Sequence, residues 1–113
     1  MKTSWIGWAR LVIGAVAGLA IGLTSVPAGA QDAAALYKTK CAACHGADGK
    51  GETAIGKANK IRDLGSAEVQ AESDADLTTI INTGKGKMPT YGKSLKPEQV
   101  KDLVAYIRTL AKK

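Results

Sequence analysis

The three side chains of this sequence best suited to metal or thiol chemistry lie in one pentapeptide, Cys41-Ala42-Ala43-Cys44-His45. Positions i and i+3 lie on the same face of a helical turn, so both sulfurs can reach one edge of a flat ligand. This C-x-x-C-H order is the pattern for covalent attachment of a c-type haem. The imidazole of His45 would then lie beneath the ring, where it can bind the iron. The chain has two cysteines and one histidine in all, so such chemistry belongs here.

Three other uses of this pentapeptide stay open at the level of sequence. A thioredoxin-type Cys-x-x-Cys centre needs a β-α-β setting, and no strand-like pattern is visible. A structural zinc site normally has four cysteine or histidine ligands, whereas this chain offers three. A disulfide suits an oxidising compartment but leaves the adjacent His45 unexplained. Haem attachment accounts for all three side chains, and it is the interpretation we favour.

Met88 is the second candidate iron ligand. It lies in the segment GKGKMPTY at 84–91, where Pro89 fixes the backbone behind it. Because the chain has a single histidine, it cannot supply a second imidazole. A neutral sulfur donor favours ferrous iron, so His/Met ligation raises the reduction potential and closes the iron to oxygen and peroxide. The alternatives are that Met88 packs in the core, or that it leaves an open site for small-molecule sensing or peroxidase-like chemistry.

Helices are predicted on both sides of these candidates, and the expected fold class is all-α. A first helix should begin at Asp32, with its carboxylate in the first turn, and lead into Cys41. Ser73 should cap a second helix, and Pro97 should open a last helix that runs to about residue 111. The apolar residues of these two helices recur at i, i+3 and i+4; they are Leu77, Ile80 and Ile81, then Val100, Leu103, Val104, Ile107 and Leu110.

Residues 46–65, after the pentapeptide, are predicted to be loop. The glycine-rich stretch 46–51 has no preceding strand and no Gly-Lys-Ser/Thr ending, so a phosphate-binding loop is disfavoured. Residues 52–65 show no clear periodicity. We expect them to wrap the haem as loop, with Ile55, Ile61 and Leu64 pointing inward.

The first 30 residues have the organisation of a secretory signal peptide. Lys2 and Arg10 form a basic start, an apolar run extends from 11 to 23, and Ala28-Gly29-Ala30 supplies a small-x-small cleavage pattern. Cleavage after Ala30 would leave one small domain at 31–113. The alternative is an uncleaved helical anchor, but spanning a bilayer takes roughly 20 apolar residues and would bury Arg10.

Composition and charge narrow the functional classes. A domain of this size, with three tyrosines and no phenylalanine, has few large residues for a core and benefits from a bound cofactor. The net charge of +6 falls by two once Lys2 and Arg10 are removed. This mild excess, without basic runs interleaved with aromatics, does not indicate nucleic-acid binding.

The charges are unevenly distributed along the chain. Five acidic residues lie between 63 and 76, and five lysines lie between 85 and 101; they are Asp63, Glu68, Glu72, Asp74 and Asp76, and Lys85, Lys87, Lys93, Lys96 and Lys101. Such an asymmetry can steer docking to an acidic partner. The other interpretation is that both stretches are merely solvated surface.

Three segments together make the chain resemble small bacterial class I c-type cytochromes of the soluble monohaem kind. These are CAACHG at 41–46, GKGKMPTY at 84–91 and EQVKDLVAYIRTL at 98–110. The resemblance implies a small cytochrome c fold of three to five helices around one covalently bound haem c, preceded here by a helical signal segment. It also implies thioether bonds at Cys41 and Cys44, with His45 and Met88 as the two axial ligands.

The resemblance carries further expectations about packing around the haem. The first and last helices should cross, which brings Leu36 and Tyr37 against Tyr106. In such cytochromes a backbone carbonyl, often from a proline after the motif, holds the other nitrogen of the histidine. This chain has Gly56-Lys57 in that region and no proline, and Lys96 stands where a Ser or Thr helix cap is common.

The function expected from sequence is that of a periplasmic one-electron carrier, not an enzyme. Iron would cycle between its ferrous and ferric states with both axial ligands kept. The partners would be redox proteins, with acidic docking faces that meet the lysines near Met88. We expect a monomer with no small-molecule substrate. If the signal segment is not cleaved, the protein would be tethered to the outer face of the inner membrane.

Overall fold

The computed structural model describes residues 14–15, 17–23 and 28–112, and within them the chain is helical with no strand. Six helices follow one another; they are α1 (Ala28–Lys40), α2 (Ala42–His45), α3 (Ala54–Ala58), α4 (Ala67–Gln70), α5 (Asp74–Thr83) and α6 (Pro97–Thr109). The predicted all-α class is therefore confirmed. Of the six helices against the expected three to five, α2, α3 and α4 are short segments of four or five residues.

Helices α1 and α6 pack against each other at the centre of the domain. The ring centroids of Tyr37 and Tyr106 lie 4.8 Å apart at an interplanar angle of 42°, a tilted arrangement that aromatic pairs favour. Leu36 is partly buried against the same core. The expected contact between the first and last helices is thus confirmed.

The core is built mainly from α5 and α6 with Tyr37 of α1. Its buried members are Tyr37, Val69, Leu77, Ile81, Leu95, Val100, Leu103, Val104 and Ile107. The helical periods predicted for α5 and α6 therefore identify most of the core. Ile80 and Leu110, at the edges of those periods, are only partly buried.

The loop predicted for residues 52–65 was wrong over α3. The hydroxyl oxygen of Thr53 caps this helix by accepting a hydrogen bond from the Gly56 amide at 2.8 Å. A cap and tertiary packing, rather than amphipathic periodicity, stabilise so short a helix. Ile55, Ile61 and Leu64 all line the cavity described below, as expected, although Ile55 is also 48% exposed.

The predicted start of α1 at Asp32 was also wrong. The helix begins at Ala28 and has no acidic residue in its first turn, so Asp32 lies too far along to act on the N-terminal dipole. The other two predicted helix starts are correct. Ser73 accepts a hydrogen bond from the Asp76 amide at 3.0 Å, and α6 begins at Pro97.

The cap of α6 explains how Lys96 can occupy a position where Ser or Thr is common. The backbone amide of Lys96 donates to the side-chain oxygen of Gln99 at 2.8 Å. One half of a capping box is thereby kept, so the first turn of α6 is anchored without a hydroxyl side chain.

Ion pairs neutralise much of the acidic stretch. Glu72 pairs with Arg62, Asp74 pairs with Arg108 at 2.7 Å, and Asp63 pairs with Lys112 at 2.8 Å. The net negative charge of residues 63–76 is therefore smaller in the folded domain than their five acidic residues suggest.

Most of the predicted signal segment, residues 1–30, lies outside the described residues. Residues 14–15 and 17–23 contain no helix, so the expected helical conformation is wrong for them. Leu19 and Leu23 are 89% and 91% exposed, and a short Gly- and Ala-rich stretch without tertiary packing gains little from helix formation. No helix of the described chain is long and apolar enough to cross a membrane.

Candidate haem site

The pentapeptide forms the helical turn that its spacing requires. The carbonyl oxygen of Cys41 accepts from the amides of Cys44, at 3.2 Å, and His45, at 2.9 Å. The amide of Cys41 in turn donates to the Tyr37 carbonyl at 2.8 Å, so α1 runs almost directly into this turn. Both cysteines are half-buried and are not joined to each other.

The loop after the pentapeptide closes tightly against it. The Gly51 amide donates to the His45 carbonyl at 2.7 Å, and the Thr53 hydroxyl donates to the Cys44 carbonyl at 2.7 Å. At Gly56 a Cβ atom would come within 2.2 Å of the Gly51 carbonyl oxygen and 2.8 Å of that of Cys44. Only glycine permits this approach, so α3 helps to fix the backbone that bears the histidine.

The His45 imidazole is in the state that a metal ligand needs. Burial lowers the pKa of His45, which favours the neutral ring that binds iron. Its Nδ1 atom is buried and has no hydrogen-bond partner among the described residues. The sequence lacks the proline whose carbonyl often holds this nitrogen in such cytochromes. The described residues likewise provide no acceptor for it.

The segment that carries Met88 is held to the C-terminal end of α5. Gly84 ends that helix with a φ of 75°, and a Cβ atom there would lie 2.6 Å from the Met88 carbonyl oxygen. The Met88 amide donates to the Lys85 carbonyl at 3.0 Å. The Tyr91 hydroxyl donates to the Lys40 carbonyl at 3.1 Å, which links this loop to the end of α1.

One cavity of about 360 Å³ brings the four predicted site residues together. Cys41, Cys44, His45 and Met88 all line it. Much of the remaining wall is apolar and comes from the core, including Ile61, Leu64, Val69, Leu77, Ile81 and Leu95. Two sulfurs, a neutral imidazole and a thioether around an apolar space form the donor set and surroundings that fit a c-type haem.

The surroundings of the two cysteines argue against a redox-active thiol centre and a structural metal site. Burial, with a smaller effect from nearby Cys44, raises the pKa of the Cys41 thiol to about 11. A redox-active Cys-x-x-Cys centre instead depends on a thiol whose pKa is lowered. Across the described residues, no group of three or more His, Cys, Asp and Glu side chains is arranged to hold a metal ion.

Sequence reasoning missed a polar part of the cavity wall. Asn59, Lys60 and Arg62 also line the cavity, although the sequence analysis assigned them no role. The signal was present in the pattern, since Arg62 lies between two residues that were expected to point inward, Ile61 and Leu64.

Comparison with known proteins places this fold and site in a family. Residues 28–107 match the family described as "Cytochrome C oxidase, cbb3-type, subunit III". The subunit FixP of the cbb3-type cytochrome c oxidase of Azorhizobium caulinodans is 35% identical over 81 residues, which are 72% of this chain and 27% of that subunit. The chain thus spans about a quarter of that relative.

Two further proteins match over most of their own length. Cytochrome c6 of Gloeothece citriformis is 32% identical over 93 residues, covering 77% of this chain and 79% of that protein. The solved structure of the KustC0563 c-type cytochrome aligns with a TM-score of 0.66 at 36% identity, covering 71% of this chain and 98% of that one. The chain therefore belongs to the cytochrome c family, as a small class I c-type cytochrome with covalently bound haem c.

Proposed function

We propose that residues 31–113 form a periplasmic one-electron carrier with six-coordinate haem iron. Cys41 and Cys44 would hold one haem c, and His45 and Met88 would bind its iron from the two faces. The observation that carries this proposal is that all four side chains line the same cavity. The haem, when bound, supplies an iron atom that alternates between the ferrous and ferric states.

The protein's part is to keep the surroundings of that iron constant. The buried, neutral imidazole of His45 is poised to bind metal, and the Met88 backbone is held by Lys85 and by the end of α5. Core side chains make much of the cavity wall apolar. An apolar wall and ligands held by their backbone would limit the rearrangement that accompanies each electron transfer, so we expect electron exchange without turnover of a substrate.

The partners we propose are redox proteins of a respiratory or photosynthetic chain. The relatives include a cbb3-type oxidase subunit and cytochrome c6 proteins, which supports this class without naming the donor or acceptor. Lys40, Lys60, Lys85 and Lys87 are exposed and line the cavity. Exposed cations close to the haem would favour docking of a monomer to an acidic face.

The proposed location rests on the first 30 residues. A basic start, an apolar run and the Ala28-Gly29-Ala30 pattern are what export requires. The intact mass of the purified protein decides between cleavage after Ala30 and retention of the segment as a tether.

The sixth ligand is tested with carbon monoxide. We expect the reduced wild-type protein to bind carbon monoxide slowly and weakly, and Met88→Ala to bind it fast. Optical spectra of both oxidation states report ligation and haem attachment together. The control is Thr90→Ala, an exposed position in the same loop, which should behave as wild type.

Fast binding by the wild-type protein would contradict the proposal. It would instead support the open-site alternative, in which the protein senses a small molecule or acts on peroxide. Haem that is released by acid and acetone would contradict thioether attachment at Cys41 and Cys44.

A further inference from the structure

The polar part of the cavity wall has no role among the four proposed haem and iron ligands. Residues 59–62 place Asn59, Lys60 and Arg62 along a cavity whose wall is otherwise largely apolar. The two propionates are the charged side groups of a haem c. An arginine guanidinium binds such carboxylates with two parallel hydrogen bonds.

The guanidinium of Arg62 is held in place but retains unused donors. One of its terminal nitrogens donates to Glu72 Oε1, and Glu68 lies 3.8 Å from the same nitrogen. Among the described residues, Glu72 is its sole hydrogen-bond acceptor. Arg62 has five N–H donors in a rigid fork, so donors remain for a second carboxylate.

The two charges of this pair are only partly screened by solvent. The side chains of Arg62 and Glu72 are 37% and 23% exposed. The second carboxylate oxygen of Glu72, Oε2, is buried and has no partner in the described part of the chain. By contrast, Glu68 is 77% exposed, so solvent weakens its field much more.

We propose that Arg62 binds a propionate of the haem and that Glu72 holds Arg62 in position, so that this pair sets the reduction potential. The proposal rests on the proposed function, since it needs a haem whose iron changes charge in this cavity. A nearby cation stabilises the less positive ferrous iron and raises the potential. A nearby carboxylate stabilises ferric iron and lowers it.

The test is a redox titration of the holoprotein and two variants that remove one charge each. Arg62→Gln should lower the midpoint potential, and Glu72→Gln should raise it. Each shift should change the ferric-to-ferrous ratio at a fixed potential by at least threefold, about 28 mV at 59 mV per tenfold change. The optical spectra should stay those of the wild type, which shows that Met88 ligation is kept.

Two charge changes elsewhere serve as controls. Lys112→Gln removes a cation of the Asp63 pair, and Asp74→Asn removes an exposed carboxylate that pairs with Arg108. The ion pairs of Lys112 and Asp74 include neither Arg62 nor Glu72, so both variants should keep the wild-type potential.

Opposite shifts support the proposal, and any other pattern overturns it. If the pair were merely structural, either variant would loosen the site and both potentials would fall together. If Arg62→Gln does not accumulate with haem, Glu72→Gln decides alone, because a structural loss lowers the potential and the proposed effect raises it. A wild-type protein with a reversible couple and unshifted variants would refute this proposal and leave the carrier function intact.

Discussion

Tyr37 connects the core to the residue that follows the candidate iron ligand. The residue is 2% exposed, and its hydroxyl donates to the Gly46 carbonyl at 2.7 Å. Burial raises the pKa of this phenol, so the hydroxyl stays protonated and available as a donor. The side chain therefore fixes the end of the turn formed by Cys41–His45 as well as filling space.

We expect Tyr37→Phe to destabilise the holoprotein by about 1 kcal/mol, because the Gly46 carbonyl loses the Tyr37 hydroxyl and keeps only the Gly49 amide as a donor. Guanidinium unfolding measures the change. The matched control is Tyr106→Phe, since the described residues give the Tyr106 hydroxyl no hydrogen bond; it should cost less than about 0.5 kcal/mol. Equal losses in the two variants would mean that the hydrogen bond contributes nothing.

At the scale of secondary structure, Arg108 ties α6 to the connection between α4 and α5. Its guanidinium donates to the Gln70 carbonyl at 3.0 Å, to the Glu72 carbonyl at 2.6 Å and to Asp74 Oδ1 at 2.7 Å. One side chain thereby satisfies two backbone carbonyls and a carboxylate. Glu72 lies in the same connection, so Arg108 also helps to fix the residue that pairs with Arg62.

Arg108→Ala should lower the free energy of unfolding by about 2–3 kcal/mol, since it leaves several acceptors without a partner. Asp74→Ala should cost clearly less, because that carboxylate is 75% exposed. Lys101→Ala, an exposed change on the same helix, should stay within about 0.5 kcal/mol. Denaturant titration of the three holoproteins provides the comparison; a loss in Arg108→Ala no larger than that in Lys101→Ala would contradict this role.

The elements also show where sequence reasoning succeeds and fails. Helices α5 and α6 were predictable because each repeats an apolar period and starts with a local signal, Ser73 or Pro97. Helix α3 was not, since its stability depends on the cap by Thr53 and on the contact at Gly56. Tertiary contacts of this kind leave no periodic trace in the sequence.

The site was predictable to a similar degree. The spacing within the pentapeptide determines the relative positions of its three donors, because they occupy one helical turn. Met88 could be selected by elimination and by its place before Pro89. For Arg62 the sequence shows only its place between Ile61 and Leu64, because the ion pair that orients it joins residues ten apart that share no motif.

For the whole molecule, the main electrostatic feature is a set of lysines at the cavity. Lys85 and Lys87 are exposed, and the ion pairs present among the described residues do not include them. The acidic stretch is partly neutralised, as described above. An approaching redox partner would therefore meet a locally positive surface near the haem.

This charge predicts opposite salt dependences for two small redox reagents. Oxidation by anionic ferricyanide should slow as ionic strength rises, and oxidation by a cationic cobalt complex should quicken. Changing Lys85 and Lys87 together to Gln should slow the ferricyanide reaction about two- to fivefold at low salt. Stopped-flow absorbance measures these rates.

Lys101→Gln is the control, because that lysine does not line the cavity. It should leave the ferricyanide rate close to that of the wild type. If all three lysine substitutions change the ferricyanide rate equally, net charge alone governs the rate and the cavity lysines have no specific role.

The order of the two proposed iron ligands along the chain has one more consequence. His45 precedes α3, α4 and α5, and Met88 follows them, so an iron atom bound to both acts as a reversible cross-link. Closing a stretch of roughly 40 residues removes about 4 kcal/mol of chain entropy from the unfolded state in the loop-closure account of such links. Since ferrous iron holds a thioether more firmly, the reduced protein should resist guanidinium better than the oxidised one. Each electron delivered would then also tighten the fold, and each electron removed would loosen it.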